Sequence, residues 1–169
     1  MYHHIIRNAI DDCFRDYVLK YIDDNIHRFR MNGPGRFDMR HIQDDVINNE
    51  KNKLIHKIGI DLLEWEPEPL FGNFIGCNLE GAFVHLHKDP APYGYTHARI
   101  NIMINKPDDG GIPIIDNEYV NVNEKDAWIC ISSKQLHQTN PVIGKKKRLV
   151  LSLGTIIKNG YNELILTKK

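Results

Sequence analysis

The sequence predicts a mainly β domain fronted by helices, an antiparallel barrel or sandwich with the helices packed on one outer sheet. Two observations of pattern predict it. Before residue 70, apolar residues recur at three- and four-residue steps. After residue 70 the period changes to two, in short segments parted by turn-forming residues. Length supplies the third observation: 169 residues make one domain with a sizeable core and leave no room for a second.

In chain order, Ile6, Ile10, Cys13, Phe14, Tyr17, Val18, Tyr21 and Ile22 form one apolar stripe, predicting a helix over residues 4–27. Asp11-Asp12, Asp16 and Asp23-Asp24 lie beside the stripe and read as its solvated face. Asn32-Gly33-Pro34-Gly35 breaks the pattern. Leu54, Ile55, Ile58, Leu62 and Trp65 are spaced for burial, predicting a second helix over residues 53–65. Glu66-Pro67-Glu68-Pro69 then stops it, because each proline lacks an amide donor and pushes the preceding residue out of the helical region. Strands are predicted at residues 71–77, 82–87, 99–105, 112–115, 119–122, 127–131, 148–157 and 163–166. Asp108-Asp109-Gly110-Gly111 and Lys158-Asn159-Gly160 are among the separators. Residues 1–69 are thus expected as mostly helical support, and residues 70–169 as the β core.

Alternation assigns faces. Side chains point to opposite sides along a strand, so Ile100, Ile102 and Ile104 face the helices while Arg99 and Asn101 face the interior. Likewise Leu149, Leu151 and Leu153 take one face and Arg148, Val150 and Ser152 the other. Arginine and serine inside a barrel are destabilising unless a ligand or partner satisfies them.

Lys plus Arg equals Asp plus Glu, at 22 each, so no global charge draws the chain to nucleic acid or to an anionic membrane. The three cysteines, Cys13, Cys77 and Cys130, are odd in number and form no Cys-x-x-Cys pair. They predict a reducing compartment and hence an intracellular, cytoplasmic protein. The opening residues mix His, Arg and Asp with apolar side chains, unlike a signal peptide, and no apolar run reaches membrane-spanning length.

The chemistry is concentrated in His87-Lys88-Asp89, followed by His137 and then Arg148. Two imidazoles and one carboxylate suit Fe(II), Mn(II), Zn(II) or Co(II). Held on one face of the metal, they leave open positions for a chelating co-substrate and dioxygen, which suits ferrous iron. Arg148 stands at the head of an apolar strand, so it is expected to point inward. A dicarboxylate co-substrate needs such a cation at its far end, because guanidinium binds carboxylate bidentately and stays charged. The Ser152 hydroxyl is a helper there, and Asn101 a contact near the chelating end. Arg99 either holds a substrate carboxylate or pairs with an interior acid. Residues 89–97, with Tyr93 and Tyr95, form either a substrate-covering rim or a tyrosine-stabilised turn. His85 either lines the site or is a hydrogen-bonded interior histidine.

Several short stretches carry a resemblance. They are Gly81-Ala82-Phe83-Val84-His85-Leu86-His87-Lys88-Asp89, Arg99-Ile100-Asn101, Lys106-Pro107-Asp108-Asp109-Gly110-Gly111 and Asp126-Ala127-Trp128. The last runs from His137 through Pro141-Val142 and Gly144 to Arg148-Leu149-Val150-Leu151-Ser152. In order and spacing they resemble the Fe(II)/2-oxoglutarate-dependent dioxygenases, in particular the prolyl-hydroxylase-like branch. The resemblance covers about residues 71–154. It implies a double-stranded β-helix, the jelly roll shared with cupin-like proteins. It implies His87, Asp89 and His137 as iron ligands and Arg148 as the anchor of the 2-oxoglutarate C5 carboxylate. O2 would be the second co-substrate, and ascorbate an optional reductant.

The activity so implied is hydroxylation of a small molecule, such as an amino acid, or of a protein residue such as proline, with release of succinate and CO2. The alternative is a cupin-like metal-binding protein or isomerase without oxygenase activity, which would not need Arg148. Nucleic acid is disfavoured as a substrate, since no base-stacking aromatic cluster lies beside a basic groove. Oligomeric state is not written in any of these patterns.

Overall fold

The computed structural model describes residues 4–62 and 64–159, without the side chain of Leu62. The strand expected at residues 163–166, the packing of Leu62 and the turn residue Gly160 lie outside the described residues. In chain order the strands are β1 (Ile5–Ile6), β2 (Arg30–Gly33), β3 (Arg36–Met39), β4 (Trp65–Pro67), β5 (Phe74–Asn78), β6 (Tyr95–Asn105) and β7 (Asp109–Gly110). They continue with β8 (Pro113–Ile115), β9 (Glu118–Tyr119), β10 (Ala127–Cys130), β11 (His137–Thr139), β12 (Val142–Ile143) and β13 (Arg148–Lys158). The α-helices are α1 (Asp12–Asp24) and α2 (Asp45–Ile58).

Long, apolar and β-branched, β6 and β13 pair antiparallel down their whole length and centre an eight-stranded sheet. Its order is β1-β10-β6-β13-β5-β3-β2, with β4 pairing the far end of β13. Facing it are a three-stranded sheet, β11-β8-β9, and the two-stranded β12-β7. The fold is a double-stranded β-helix with two helices on the outer face of the large sheet.

Ile100, Ile102, Ile104, Leu149, Leu151 and Leu153 are buried in one cluster with Phe14, Val18 and Ile22 of α1 and Ile47, Leu54 and Ile55 of α2. Each such side chain removed from water stabilises the fold by about 1.5–3 kcal/mol, so this layer fixes the sheet on its helices. The opposite face of the same strands looks between the sheets. There Met103, Val150, Trp128, Cys130 and Ile115 form a second, smaller cluster.

The helices differ in extent from the sequence expectation. The Asp11 carboxylate accepts from the Phe14 amide at 2.8 Å, so α1 begins there. The preceding Ile5-Ile6 pairs with β10 instead, against Trp128 and Ala127. Helix α2 starts earlier than residue 53, at the cap Asp44, whose carboxylate accepts from the Ile47 amide. It ends at Gly59 in the left-handed conformation. The polar run before Lys53 concealed its first turns, since propensity without an apolar stripe is a weak signal.

Asn32-Gly33-Pro34-Gly35 is the turn of the β2–β3 hairpin. The N-terminal segment expected as helical support therefore also supplies four strands, β1 to β4, to the large sheet. Residues 82–87 are not a regular strand. Their backbone nevertheless pairs with that of residues 137–142, through Thr139 to Val84 and reciprocal bonds between His87 and His137. Among the described residues no helix is long and apolar enough to cross a membrane.

Candidate active site

A cavity of about 190 Å³ opens between the sheets. Its wall follows from the strand registers. Phe74, Ser152, Asn101 and Trp128 form one cross-strand row on the inner face, and Arg36, Asn78 and Arg148 form another.

His87, Asp89 and His137 meet at one end of the cavity, with a ligand atom from each lying within 4.8 Å of the others. The reciprocal backbone bonds between His87 and His137 bring the two rings to 4.3 Å between centroids. The Asp89 amide donates to the Ser132 carbonyl at 2.8 Å, turning its carboxylate toward both rings. Asp89 Oδ1 is 3.2 Å from His87 Nε2 and 3.8 Å from His137 Nε2. Ligands at right angles around an ion about 2.1 Å away sit about 3 Å apart, so the spacing suits a metal.

Tautomer control agrees. His87 Nδ1 is 2.6 Å from the His85 carbonyl, and His137 Nδ1 is 3.0 Å from the Gln135 carbonyl. A carbonyl only accepts, so each ring donates from Nδ1 and turns the Nε2 lone pair toward Asp89. In the metal-free protein a second proton on His87 would be shared from Nε2 with Asp89, which raises the pKa of His87, while burial lowers that of His137. For Asp89 burial acts upward, but the His87 hydrogen bond and the charges of His137 and Arg99 outweigh it, and the carboxyl stays well below the usual range. A side chain 42 % exposed at His87 leaves this end of the cavity open to an incoming molecule.

Behind Asp89 lies a buried ion chain. Arg99 Nε is 3.5 Å from Asp89 Oδ2, and its Nη2 donates to Glu68 Oε2 at 2.8 Å. Glu68 is fully buried and also accepts from the Leu70, Phe71 and Gly72 amides. Its Cβ passes so close to Gly154 that a Cβ there would lie 2.8 Å away, which requires glycine at that position. Arg99 also donates to the Gly72 carbonyl and to Ser152 Oγ. With its donors engaged by protein, it pairs with interior acids and is not a free substrate clamp.

Lys51 of α2 extends the chain, donating to the Gly154 carbonyl at 2.7 Å and to Asn73 Oδ1 at 3.1 Å. Burial, reinforced by Arg99 and opposed by Glu68, lowers its pKa to about 8. Between pH 8 and 10.5 the unfolded chain therefore binds more protons at this residue than the folded one. The resulting penalty is full below pH 8 and disappears above 10.5. The stability of the wild type relative to Lys51→Met is expected to rise across that window, by up to roughly 3 kcal/mol. Urea denaturation at stepped pH checks this, and a flat difference would contradict it.

Arg148 is buried at the far end of the cavity, with its guanidinium 6.0 Å over the Trp128 ring. It makes no hydrogen bond or ion pair among the described residues, and its buried Nε is unpartnered. Burial pushes its pKa down to about 10, helped by the charge of Arg36. Gly111 makes room for it, in the left-handed region at φ 60°; a Cβ there would meet Arg148 Cδ at 2.9 Å.

The remaining expected residues are distributed as follows. Asn101 and Ser152 line the cavity, with Ser152 Oγ donating to Asn101 Oδ1 at 2.8 Å. Ser152 is not beside Arg148, because the two lie four residue steps apart along β13, about 13 Å. Tyr95 begins β6 and donates its hydroxyl to Glu66, outside the cavity lining. Tyr93 is fully exposed at the turn before it and also lies outside the lining. The ring of His85 is exposed against Phe83, so only its carbonyl serves the site. Sequence reasoning missed Glu68, His97, Arg36 and Asn78. His97 is wholly buried with Nδ1 3.9 Å from Asp89 Oδ2, and it was hidden in a segment expected as loop.

No protein-family model matches the chain. No curated protein matches it in sequence. Solved structures do. The viral collagen prolyl hydroxylase vCPH of Paramecium Bursaria Chlorella virus-1, a 2-oxoglutarate complex, superposes with a TM-score of 0.68 at 12 % identity. That match covers 94 % of this chain and 96 % of the viral one. A Pseudomonas putida prolyl-4-hydroxylase gives 0.67 at 16 % identity, covering 94 % and 93 %. HygX of Streptomyces hygroscopicus, with nickel and 2-oxoglutarate bound, gives 0.70 at 9 % identity, covering 90 % and 82 %. The fold is therefore that of prolyl hydroxylases and other 2-oxoglutarate-dependent oxygenases.

Proposed function

We propose that this protein is an Fe(II)- and 2-oxoglutarate-dependent oxygenase. It hydroxylates a small molecule, such as an amino acid, or a protein residue such as proline, and releases succinate and CO2. One observation carries the reading. A His-Asp-His set with both Nε2 atoms facing one carboxylate shares a cavity with a buried guanidinium that has no counter-ion among the described residues.

The chain's own groups divide the work. His87, Asp89 and His137 hold the metal, with the imidazoles kept in one tautomer by backbone carbonyls. Arg99, backed by Glu68, holds Asp89 in place and in its ionised form. Arg148 takes the distal carboxylate of 2-oxoglutarate and so aims the 2-oxo acid end at the metal. Substrate enters at the exposed side of His87, and the walls of Trp128, Val150 and Ile115 keep water from the far end. Bound iron supplies the activation of O2 that couples oxidative decarboxylation of 2-oxoglutarate to hydroxylation of a C–H bond.

Succinate release, screened over free amino acids and prolyl peptides with iron present and then chelated, tests the activity. Iron-dependent succinate with at least one pool is expected, and none with any pool would count against it. Arg148→Met is expected to weaken 2-oxoglutarate binding to the Mn(II)-loaded protein by about 30-fold to several thousand-fold. Truncating one partner of a buried charge pair costs about 2–5 kcal/mol. Calorimetry measures it, and a change under threefold would remove Arg148 from its role.

A further inference from the structure

Arg148 does not face the cavity's far end alone. Arg36 of β3 and Arg148 of β13 are both registered against Asn78 of the intervening β5, so the three side chains form one row across the inner face. Strands lie about 4.8 Å apart, which sets the two arginine backbones about 10 Å apart, within the combined reach of their side chains. All three residues line the cavity. Buried Arg36 Nε, Arg148 Nε and Asn78 Nδ2 are each without a hydrogen-bond partner among the described residues.

The acid whose charge acts on Arg36, Asp38, is already committed. Asp38 Oδ2 accepts from Asn32 and twice from Arg40, at 2.9–3.0 Å, and makes no ion pair with Arg36. Burial lowers the pKa of Arg36, with Asp38 opposing. Its charge reaches Arg148, whose pKa it helps to lower. A buried and a half-buried guanidinium and an amide donor, none with an anionic partner among the described residues, line one small space, which is unfavourable unless an anion joins them.

We infer that Arg36 is a second cation for the distal carboxylate of the co-substrate, which is clamped between Arg36 and Arg148 with the Asn78 amide as a further donor. The N-terminal hairpin is thereby part of the co-substrate site and sets its selectivity for 2-oxo diacids over 2-oxo monoacids. The assignment rests on the oxygenase reading, because it takes 2-oxoglutarate as the anion. It also implies that the apoprotein carries an electrostatic penalty that a neutral side chain at residue 36 relieves.

The test is calorimetry on Mn(II)-loaded wild type, Arg36→Met and Arg36→Lys, with 2-oxoglutarate and with 2-oxopentanoate, which lacks the distal carboxylate. Arg36→Met is expected to bind 2-oxoglutarate 10- to 100-fold more weakly while 2-oxopentanoate changes by less than threefold. Arg36→Lys should stay within tenfold of the wild type. Apo Arg36→Met should melt no lower than the apo wild type. Equal weakening of both acids, or unchanged 2-oxoglutarate binding, overturns the assignment. A wild type that ignores 2-oxoglutarate altogether overturns the oxygenase reading and this inference with it. Should the methionine variant fold poorly, Arg36→Gln is read by the same criteria.

Discussion

Asp89→Ala is expected to abolish turnover, by at least about 10³-fold, and to weaken Mn(II) or Fe(II) binding by more than about 100-fold. Removing even an outer-shell partner of a metal ligand typically costs 10–100-fold, and here the lost group would be the ligand itself. Asp89 is the only carboxylate in the three-residue cluster, and two neutral imidazoles cannot neutralise a dication. The Arg99 charge, 3.5 Å behind it, makes the loss worse, because without Asp89 a cation faces the metal position directly. Asp89→Asn should fail almost as completely, since it keeps the shape and loses the charge. Metal titration of both variants measures this, and affinity within tenfold of the wild type would remove Asp89 from the site.

Glu68→Ala should give the largest loss of stability, about 3–5 kcal/mol, the range for removing one partner of a buried ion pair. The Glu68 side chain is 0 % exposed, and Arg99 beside it is 5 % exposed. Truncation leaves the Arg99 charge with only the more distant Asp89, and it orphans the amides of Leu70, Phe71 and Gly72. Glu68→Gln keeps the volume and still fails, because a neutral amide offers one acceptor oxygen where the carboxylate offers two. Urea denaturation decides it, and a loss under 1 kcal/mol would show that the chain behind Asp89 relaxes without Glu68.

The pattern of legibility follows from where periodic signals exist. The faces of β6 and β13 could be read because both strands are long and put isoleucine or leucine on one face and most of their polar residues on the other. Arg148 could be expected inside because it heads such a strand. His87, Asp89 and His137 could be grouped because their residue types share one chemistry, although residues 82–87 proved irregular and His137 lies on a three-residue strand. Arg36 carried no such signal. It sits in a short hairpin whose partner strand is mostly exposed, where composition alone reads as loop. Glu68 was obscured by flanking prolines that mark a chain break and say nothing of burial. Tyr93 and Tyr95 misled for the opposite reason, since aromatic residues in a turn beside the ligand motif look like a rim. Tyr95 heads β6 with its hydroxyl on Glu66, and Tyr93 is exposed in the turn before it, so neither lines the cavity.

Anomalous diffraction from crystals grown without oxygen in Mn(II) and 2-oxoglutarate would locate the metal and the co-substrate together. One manganese peak is expected within about 2.0–2.4 Å of His87 Nε2, an Asp89 oxygen and His137 Nε2. The distal carboxylate of the bound acid is expected on the Arg148 guanidinium. Manganese bound elsewhere, or a 2-oxoglutarate whose distal end lies away from Arg148, would contradict the proposed site.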